Sequence, residues 1–251
     1  MRRRDPLIGA AAVLLFLALW EAATRAAAYA YFPPPSRILA HLLEGGAALE
    51  QVAPSLARML AGWGLAALIG IALGLLIGLL PRLGDFLSWI LAALRSLPPV
   101  AILPVFLVAL GAGDGMKIAF IAFTAVWPIL LNTVDGVEST DRVHVENARV
   151  FGIGRGRTVL RVIIPSALPA IFAGLRVSLS MALILMVVSE MLAATNGIGF
   201  EILSGMRAFR IIDMWAGIAL LSVIGAGLNL LLRGCERRSL RWRRDLEEAP
   251  A

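Results

Sequence analysis

Long apolar stretches separated by short polar connectors set the pattern of this chain. A run of about 20 apolar residues is long enough to cross the hydrocarbon core of a bilayer as a helix. Six such runs are present, over residues 7–28, 58–80, 86–111, 116–134, 168–194 and 211–232. The pattern therefore predicts an all-α polytopic membrane protein with about six transmembrane helices.

Small residues recur at four-residue spacing within two of these runs. Residues four apart lie on one face of a helix, and small side chains there let two helix backbones approach closely. We therefore predict two helix-packing faces, formed by Gly70, Gly74 and Gly78 in the second run and by Gly174, Ser178 and Ala182 in the fifth.

The third run is broken by prolines. Pro98, Pro99 and Pro104 follow Arg95, and each proline removes a backbone donor and bends or ends a helix. The carbonyl groups freed in this way are tolerated only beside other helices or a water-filled cavity, so the segment should lie inside the bundle. Arg95 and Pro99 are therefore candidate pathway residues, with Arg95 alternatively snorkelling to the inner membrane interface.

One acidic residue interrupts the fifth run. Glu190 lies in the apolar sequence MVVSEMLAA, and a carboxylate facing lipid is costly, so it must face a polar partner or a cavity. Two interpretations are open: a structural hydrogen bond to a neighbouring helix, or a role in substrate contact or gating. Glu190 is the third candidate pathway residue.

Composition agrees with the pattern. Hydrophobic residues make up 59% of the chain and charged residues 16%, with a mean hydropathy of +0.85, a balance typical of integral membrane proteins. The 251 residues leave no room for a separate soluble domain, so 1–251 is predicted to be one transmembrane domain. The net charge of +6 comes from short basic patches beside apolar runs, which indicates contact with lipid headgroups and no nucleic-acid partner.

The distribution of basic residues predicts the orientation. Fifteen Lys and Arg residues fall on one side of the predicted topology and six on the other, and the richer side is cytoplasmic. Both termini should therefore be cytoplasmic. The first run could be a signal peptide cleaved near Ala26 to Ala28, but an uncleaved anchor is favoured because the run continues past Glu21 and Arg25.

A polar segment, ENARVFGIGRGRTVLRVIIP, connects the fourth and fifth runs between Glu146 and Pro165. The five arginines from Arg142 to Arg161 place it on the cytoplasmic side. Its glycines are predicted to form a turn between two short helices, Asp141 to Phe151 and Arg157 to Ile164. They do not form a phosphate-binding loop, because no strand precedes them and no GK[ST] follows.

No catalytic constellation or metal site is predicted. The two histidines, His41 and His144, fall on opposite sides of the membrane, and neither HExxH nor GxSxG occurs. The single cysteine, Cys235, excludes an intramolecular disulfide and a CxxC motif. A transport role therefore fits the chain better than an enzymatic one.

The sequence from Glu146 to Gly152, followed by an apolar run into Ile164-Pro165 and a new span, resembles the EAA loop of permease subunits of bacterial ATP-binding-cassette importers. Asn147 stands where that family prefers alanine, and Ile164 where it often has leucine. The motifs LRSLPPVAILPVFLVALGAGDGMKI, WPILLNTVDGV and SEMLAATNGIGFEI are similar to the nitrate, sulfonate and taurine branch. Many members of the family carry a tryptophan and a phenylalanine before this turn, and the segment VALGAGDG has neither.

The resemblance implies a type I permease core of five helices over 58–242, preceded by one N-terminal helix over 7–28. It implies that the loop 139–165 forms a coupling helix that docks on a separate cytoplasmic ATP-binding subunit. The coupling residues carried over are Glu146, Asn147, Ala148, Arg149, Gly152, Ile153, Gly154 and Pro165.

The implied assembly contains several further partners. They are a second copy of the permease in a homodimer, a periplasmic or lipid-anchored binding protein that delivers the solute, and an ATPase that binds ATP and magnesium, leaving no cofactor in this chain. The implied location is the bacterial inner membrane, and the implied solute is a sulfonate, nitrate or similar small anion.

Two alternatives remain at this stage. The chain could be a self-contained channel or secondary transporter, or a permease of the same architecture for another solute class. The importer is favoured over the first alternative because internal half-repeats are not evident and membrane-embedded carboxylates are few.

Overall fold

The computed structural model describes residues 6–27, 31–45 and 48–241, and every regular element in them is helical. The predicted basic residues Arg2 to Arg4, the cleavage position Ala28 and the predicted core end at 242 lie outside the described residues. The helices are α1 Pro6–Ala27, α2 Pro35–Leu43, α3 Val52–Leu79, α4 Pro81–Arg95, α5 Pro99–Leu110, α6 Asp114–Glu138, α7 Arg142–Val150, α8 Arg155–Thr158, α9 Ile164–Ala193, α10 Ile198–Arg207 and α11 Ile211–Ser239. The all-α prediction is confirmed.

Within the described residues, four helical segments are long and apolar enough to cross a membrane: α3, α6, the continuous run Arg155–Ala193 and α11. The pair α4 and α5 forms a fifth candidate span that is bent by 90°. Pro98 and Pro99 stand at the break, at the N-cap and first turn of α5, which confirms the predicted interruption of the third run. The 22-residue helix α1 coincides with the predicted N-terminal span, and its crossing of the membrane stays a prediction.

The glycine stripe on α3 packs against α6. A Cβ atom built on any of the three predicted glycines would come within 3.0 Å of a side chain, and the side chains met are Ile129, Thr133 and Val137. Gly74 is the tightest of the three positions, with the added carbon 2.6 Å from Thr133 Cβ. The first predicted packing face is therefore confirmed.

The second predicted stripe contacts α6 at Gly174 and α3 at Ser178. A Cβ on Gly174 of α9 would lie 2.8 Å from the carbonyl oxygen of Pro128. Ser178, also on α9, accepts a hydrogen bond from Trp63 Nε1 of α3 at 2.9 Å, and Ala182 is fully buried. Helix α6 thus holds α3 and α9 through residues without bulky side chains at the points of contact.

The chain divides into two compact units, one made of Met1–Ser55 and Glu190–Ile224, the other of Leu56–Ser189 and Gly225–Ala251. The packing of α3, α6 and α9 just described belongs to the second unit. In the first unit, Glu21 of α1 accepts hydrogen bonds from the backbone nitrogen of Ser36 at 3.0 Å and from its hydroxyl at 2.6 Å, which links α1 to the start of α2.

Candidate functional site

Helix α7 begins at a side-chain cap. The carboxylate of Asp141 accepts a hydrogen bond from the backbone nitrogen of Val143 at 2.9 Å. Such a cap satisfies one of the amide groups that the first turn of a helix leaves without a partner, and its negative charge suits the positive end of the helix dipole. The predicted start of the first loop helix at Asp141 agrees with the structure.

The other end of α7 closes around a left-handed glycine. Gly152 has a φ of +71°, its amide donates to the carbonyl of Arg149 at 3.0 Å, and the amide of Ile153 donates to Ala148 at 2.8 Å. This pair of bonds is the Schellman arrangement, which requires a conformation that only glycine adopts without strain. Gly154, in contrast, has an ordinary φ of −61°, so the predicted glycine turn depends on Gly152.

Most of the predicted coupling residues are exposed. Ala148 is buried, at 5% exposure, and Pro165 is half-buried, whereas the remaining six lie at the surface. Between them, Val150 is 83% and Phe151 is 81% exposed. We refer to Glu146, Arg149, Val150 and Phe151 as the α7 surface.

An exposed apolar pair flanked by charges is typical of a protein-binding surface. Val150 and Phe151 are not among the residues predicted from the sequence. The signal was present, since they are two adjacent apolar residues in an otherwise polar, arginine-rich loop.

The predicted second short helix, Arg157 to Ile164, is wrong as a separate element. Helix α8 begins at Arg155 and continues through a π-helical turn, Val159–Ile163, into α9. The 39 residues from Arg155 to Ala193 form one continuous run. Pro165 is the second residue after the π-turn. Because its ring cannot donate and would clash with the carbonyl of residue 161 in a regular α-helix, the wider turn relieves the conflict without ending the helix.

A groove of about 920 Å³ lies between α7 and the start of α9. Asn147 on α7 and Pro165 on α9 both line it, together with the polar side chains of Asp141, His144 and Arg161. The structure therefore separates the predicted coupling residues into two groups. Glu146 and Arg149 belong to the α7 surface, and Asn147 and Pro165 belong to the groove.

The three pathway candidates are not brought together. Pro99 lines an apolar cavity of about 160 Å³ with Trp127 of α6 and Met181 of α9. The side chain of Arg95 lies outside the described residues, although its backbone ends α4. Glu190 belongs to the other compact unit. Of the three, Pro99 is the one that the structure places on a cavity.

Glu190 is fully buried, with 0% exposure, and accepts several hydrogen bonds. The hydroxyl of Ser55 lies 2.8 Å from its Oε1, and the backbone nitrogen of Gly199 donates to its Oε2 at 3.0 Å. Gly199 is in the first turn of α10, so the carboxylate caps the positive end of that helix. These contacts support the structural interpretation of Glu190.

Gly197 completes this capping site. It has a φ of +115°, and a Cβ atom there would overlap the carboxylate of Glu190. The hydroxyl of Ser55 also accepts a hydrogen bond from the amide of Ile198 at 2.9 Å. Ser55 thus bridges the carboxylate and the backbone of α10, and glycine is required where the two approach.

The span-length helices and the exposed helix α7 between two of them define a polytopic helical membrane protein with a short surface helix in one connecting loop. Residues 66–241 match the family described as "Binding-protein-dependent transport system inner membrane component". The chain belongs to this family. It is an inner-membrane, multi-pass permease subunit of an ATP-binding-cassette importer, which confirms the resemblance seen in the sequence.

Several named relatives are similar to this chain over much of their length. The taurine transport system permease protein TauC of Escherichia coli (strain K12) is 32% identical over 96% of this chain and 90% of its own. The putative aliphatic sulfonates transport permease protein SsuC of Bacillus subtilis (strain 168) is 33% identical over 77% of this chain and 70% of its own. The nitrate import permease protein NrtB of Leptolyngbya laminosa is 35% identical over 72% and 65%.

A solved structure shares the fold. An inward-facing form of the MetNI methionine ABC transporter matches with a TM-score of 0.64 and 20% sequence identity, over 77% of this chain and 94% of that chain. This likeness confirms the predicted fold class. Family membership also decides against the self-contained channel or secondary transporter considered from the sequence.

Proposed function

We propose that this chain forms the membrane path of an importer for a small anion, and that the α7 surface couples the path to ATP hydrolysis by a separate cytoplasmic subunit. The observation that carries the proposal is the exposure of Val150 and Phe151 on a helix closed at both ends. Exposed apolar side chains on a rigid helix favour docking on a protein partner, because their burial there removes apolar area from water.

The connection of α7 to a span supports the coupling role. A single turn at Gly152 separates α7 from the run Arg155–Ala193, which continues as one helix into the membrane-crossing region. A short helix held by a fixed turn can pass a rigid-body movement to the helix that follows it. The partner must bind α7 in different positions in its different nucleotide states for such a movement to occur.

The assembly we propose has three further components. ATP and magnesium bind to the cytoplasmic subunit, a second copy of this chain completes the path as a homodimer, and a periplasmic or lipid-anchored binding protein delivers the solute. Both termini are cytoplasmic, which follows from the basic residues of the loop that carries α7. The names of the taurine, sulfonate and nitrate relatives favour a small oxyanion as the solute.

The coupling proposal is tested with the transporter assembled from both permease copies, the ATP-binding subunit and the binding protein. Phe151→Ser should lower the ATP hydrolysis stimulated by loaded binding protein, and solute uptake should fall with it. Phe86→Ser is the matched control, since Phe86 is also strongly exposed but lies on α4. If Phe151→Ser and Phe86→Ser behaved alike in both measurements, α7 would not be the coupling element.

The solute is tested separately. Uptake of a labelled sulfonate by proteoliposomes should be reduced by competing taurine, nitrate or bicarbonate and left unchanged by methionine. Competition by methionine alone would place this chain with the permeases of another solute class, which is the remaining alternative. That outcome would leave the coupling proposal intact.

A further inference from the structure

Arg176 and Glu236 form an ion pair that neither the coupling residues nor the pathway candidates include. Arg176 Nη1 of α9 lies 2.8 Å from Glu236 Oε2 of α11, with the two side chains 38% and 18% exposed. Charged side chains within membrane-crossing helices are costly in lipid and are retained where they pair with one another or meet water. A pair that is still partly exposed therefore needs a polar environment beyond its own two members.

Arg176 lies on the face of α9 that points away from α6. It stands two residues from Gly174 and from Ser178, and two residues correspond to about 200° around a helix. Gly174 is the residue that packs on Pro128 of α6. The exposed positions of α9 on the side of Arg176 are Val177, Ser180 and Ile184.

The pair lies toward the end of the second unit that carries α7. Arg176 is about 18 Å along α9 from Ile164, at a rise of 1.5 Å per residue. Glu236 is one turn before the end of α11 at Ser239. With the orientation proposed above, this position corresponds to the inner side of the membrane.

We infer that Arg176 contacts the anionic solute near the inner mouth of the path, and that Glu236 is its counterion when the path is empty. This inference rests on the proposed function. A guanidinium group carries five N–H donors in a planar fork that matches two oxygens of a sulfonate, nitrate or carboxylate. One contact, to Glu236, is described for it, so further donors are available to an oxyanion.

The carboxylate of Glu236 explains how such a site could release its anion. A transport site must attract the solute enough to admit it and hold it weakly enough to let it leave. An isolated arginine would retain an anion, and an isolated glutamate would repel one. The pair avoids both extremes, because an arriving anion competes with Glu236 for the guanidinium and is displaced by it again.

Three variants of the complete transporter separate this role from a purely structural ion pair. In proteoliposomes supplied with labelled taurine and with nitrate, Arg176→Gln should lower kcat/KM for uptake by about tenfold or more, since a lost charged hydrogen bond has this magnitude. Glu236→Gln should change kcat/KM by less than about threefold and should lower the apparent KM. The double variant should remain as impaired as Arg176→Gln.

If the ion pair has only a structural role, the same variants should give different results. If the pair only joined α9 to α11, both single variants would be impaired alike, and the charge exchange Arg176→Glu with Glu236→Arg would restore uptake. Recovery of uptake in that exchange, or in the double variant, would overturn the inference. Uptake by Arg176→Gln at the wild-type rate would also overturn the inference.

Assembly and the nature of the solute are controlled independently. If Arg176→Gln fails to assemble, Arg176→Lys replaces it in the test, because lysine keeps the positive charge but lacks the planar fork of donors. The kcat/KM of Arg176→Lys for taurine should fall at least about threefold. An unchanged value would overturn the inference. Wild-type uptake of a neutral or cationic solute only, with coupled ATP hydrolysis, would refute the anion assignment and this inference while leaving the importer role in place.

Discussion

The backbone amide of Ile153 donates to the carbonyl oxygen of Ala148 over 2.8 Å, and this bond closes α7 around Gly152. The bond joins residues five apart in the chain, and it closes through the left-handed conformation of Gly152. Ala148 is also the one buried residue of α7. The same short stretch therefore fixes the end of the helix and directs Val150 and Phe151 outward.

Replacement of Gly152 by alanine should weaken coupling. At a φ of +71° a side chain costs about 1–2 kcal/mol, so the end of α7 should unwind or shift. ATP hydrolysis stimulated by the binding protein should fall in the assembled transporter. Gly154→Ala is the matched control, since Gly154 has an ordinary φ and nothing lies within 4 Å of an added Cβ. Equal hydrolysis rates for the two variants would contradict the role given to Gly152.

The packing of α3 on α6 should be sensitive at Gly74. In Gly74→Ala the new methyl group would lie 2.6 Å from Thr133 Cβ and 2.9 Å from the carbonyl oxygen of Leu130, so the helices must separate. We expect a loss of about 1–3 kcal/mol in the free energy of unfolding, measured by thermal unfolding in detergent. Gly64→Ala on the same helix meets nothing within 4 Å and should leave stability unchanged or improve it. If Gly64→Ala were less stable than Gly74→Ala, this packing of α3 on α6 would be refuted.

Removal of the Ser55 hydroxyl should destabilise the first unit. Ser55→Ala takes a donor from Glu190 and an acceptor from the amide of Ile198, and buried groups that lose a partner cost about 1–3 kcal/mol each. Thermal unfolding should therefore begin at a lower temperature. Ser222→Ala serves as the comparison, because that exposed hydroxyl bonds only within its own helix. A Ser55→Ala protein as stable as Ser222→Ala would show that the capping site contributes little.

The proposed orientation of the chain in the membrane can be tested by chemical labelling of Cys235. It is the only cysteine in the chain, it is exposed, and it lies near the end of α11. A membrane-impermeant thiol reagent should label it in inverted vesicles and leave it unlabelled in intact spheroplasts. In a Cys235→Ser background, Ala112→Cys in the turn before α6 should show the opposite behaviour. Labelling of Cys235 from outside would reverse the topology.

Features that depend on neighbouring residues could be predicted from the sequence. Pro98 and Pro99 break the third run because proline lacks the donor that a helix needs, and this holds in any surroundings. Gly70, Gly74 and Gly78 form a packing stripe because the helical repeat alone places them on one face. The turn at Gly152 belongs to the same group, since its hydrogen bonds close within six residues of chain.

Features that depend on distant partners could not be predicted in this way. The sequence left Glu190 between a structural and a gating role, and Ser55, 135 residues away, supplies the contact that supports the first. Arg176 is not among the site residues predicted from the sequence, because its partner Glu236 stands 60 residues further along the chain. The separate second loop helix was a wrong prediction, because the chain passes Pro165 after a π-helical turn and continues into α9 without a break.

The sequence by itself determined the class of protein, the number and breaks of its apolar runs and the place of the polar loop, because hydrophobicity and backbone preference act locally. Only the tertiary structure decided which carboxylates cap a helix or pair with an arginine, and which residues of the loop are exposed. Those outcomes depend on groups far apart in sequence meeting at distances below 3 Å, which no local pattern specifies. Glu146 to Pro165 was conspicuous from its composition and its turn at Gly152 is local, but the exposure of Val150 and Phe151 was set by the fold.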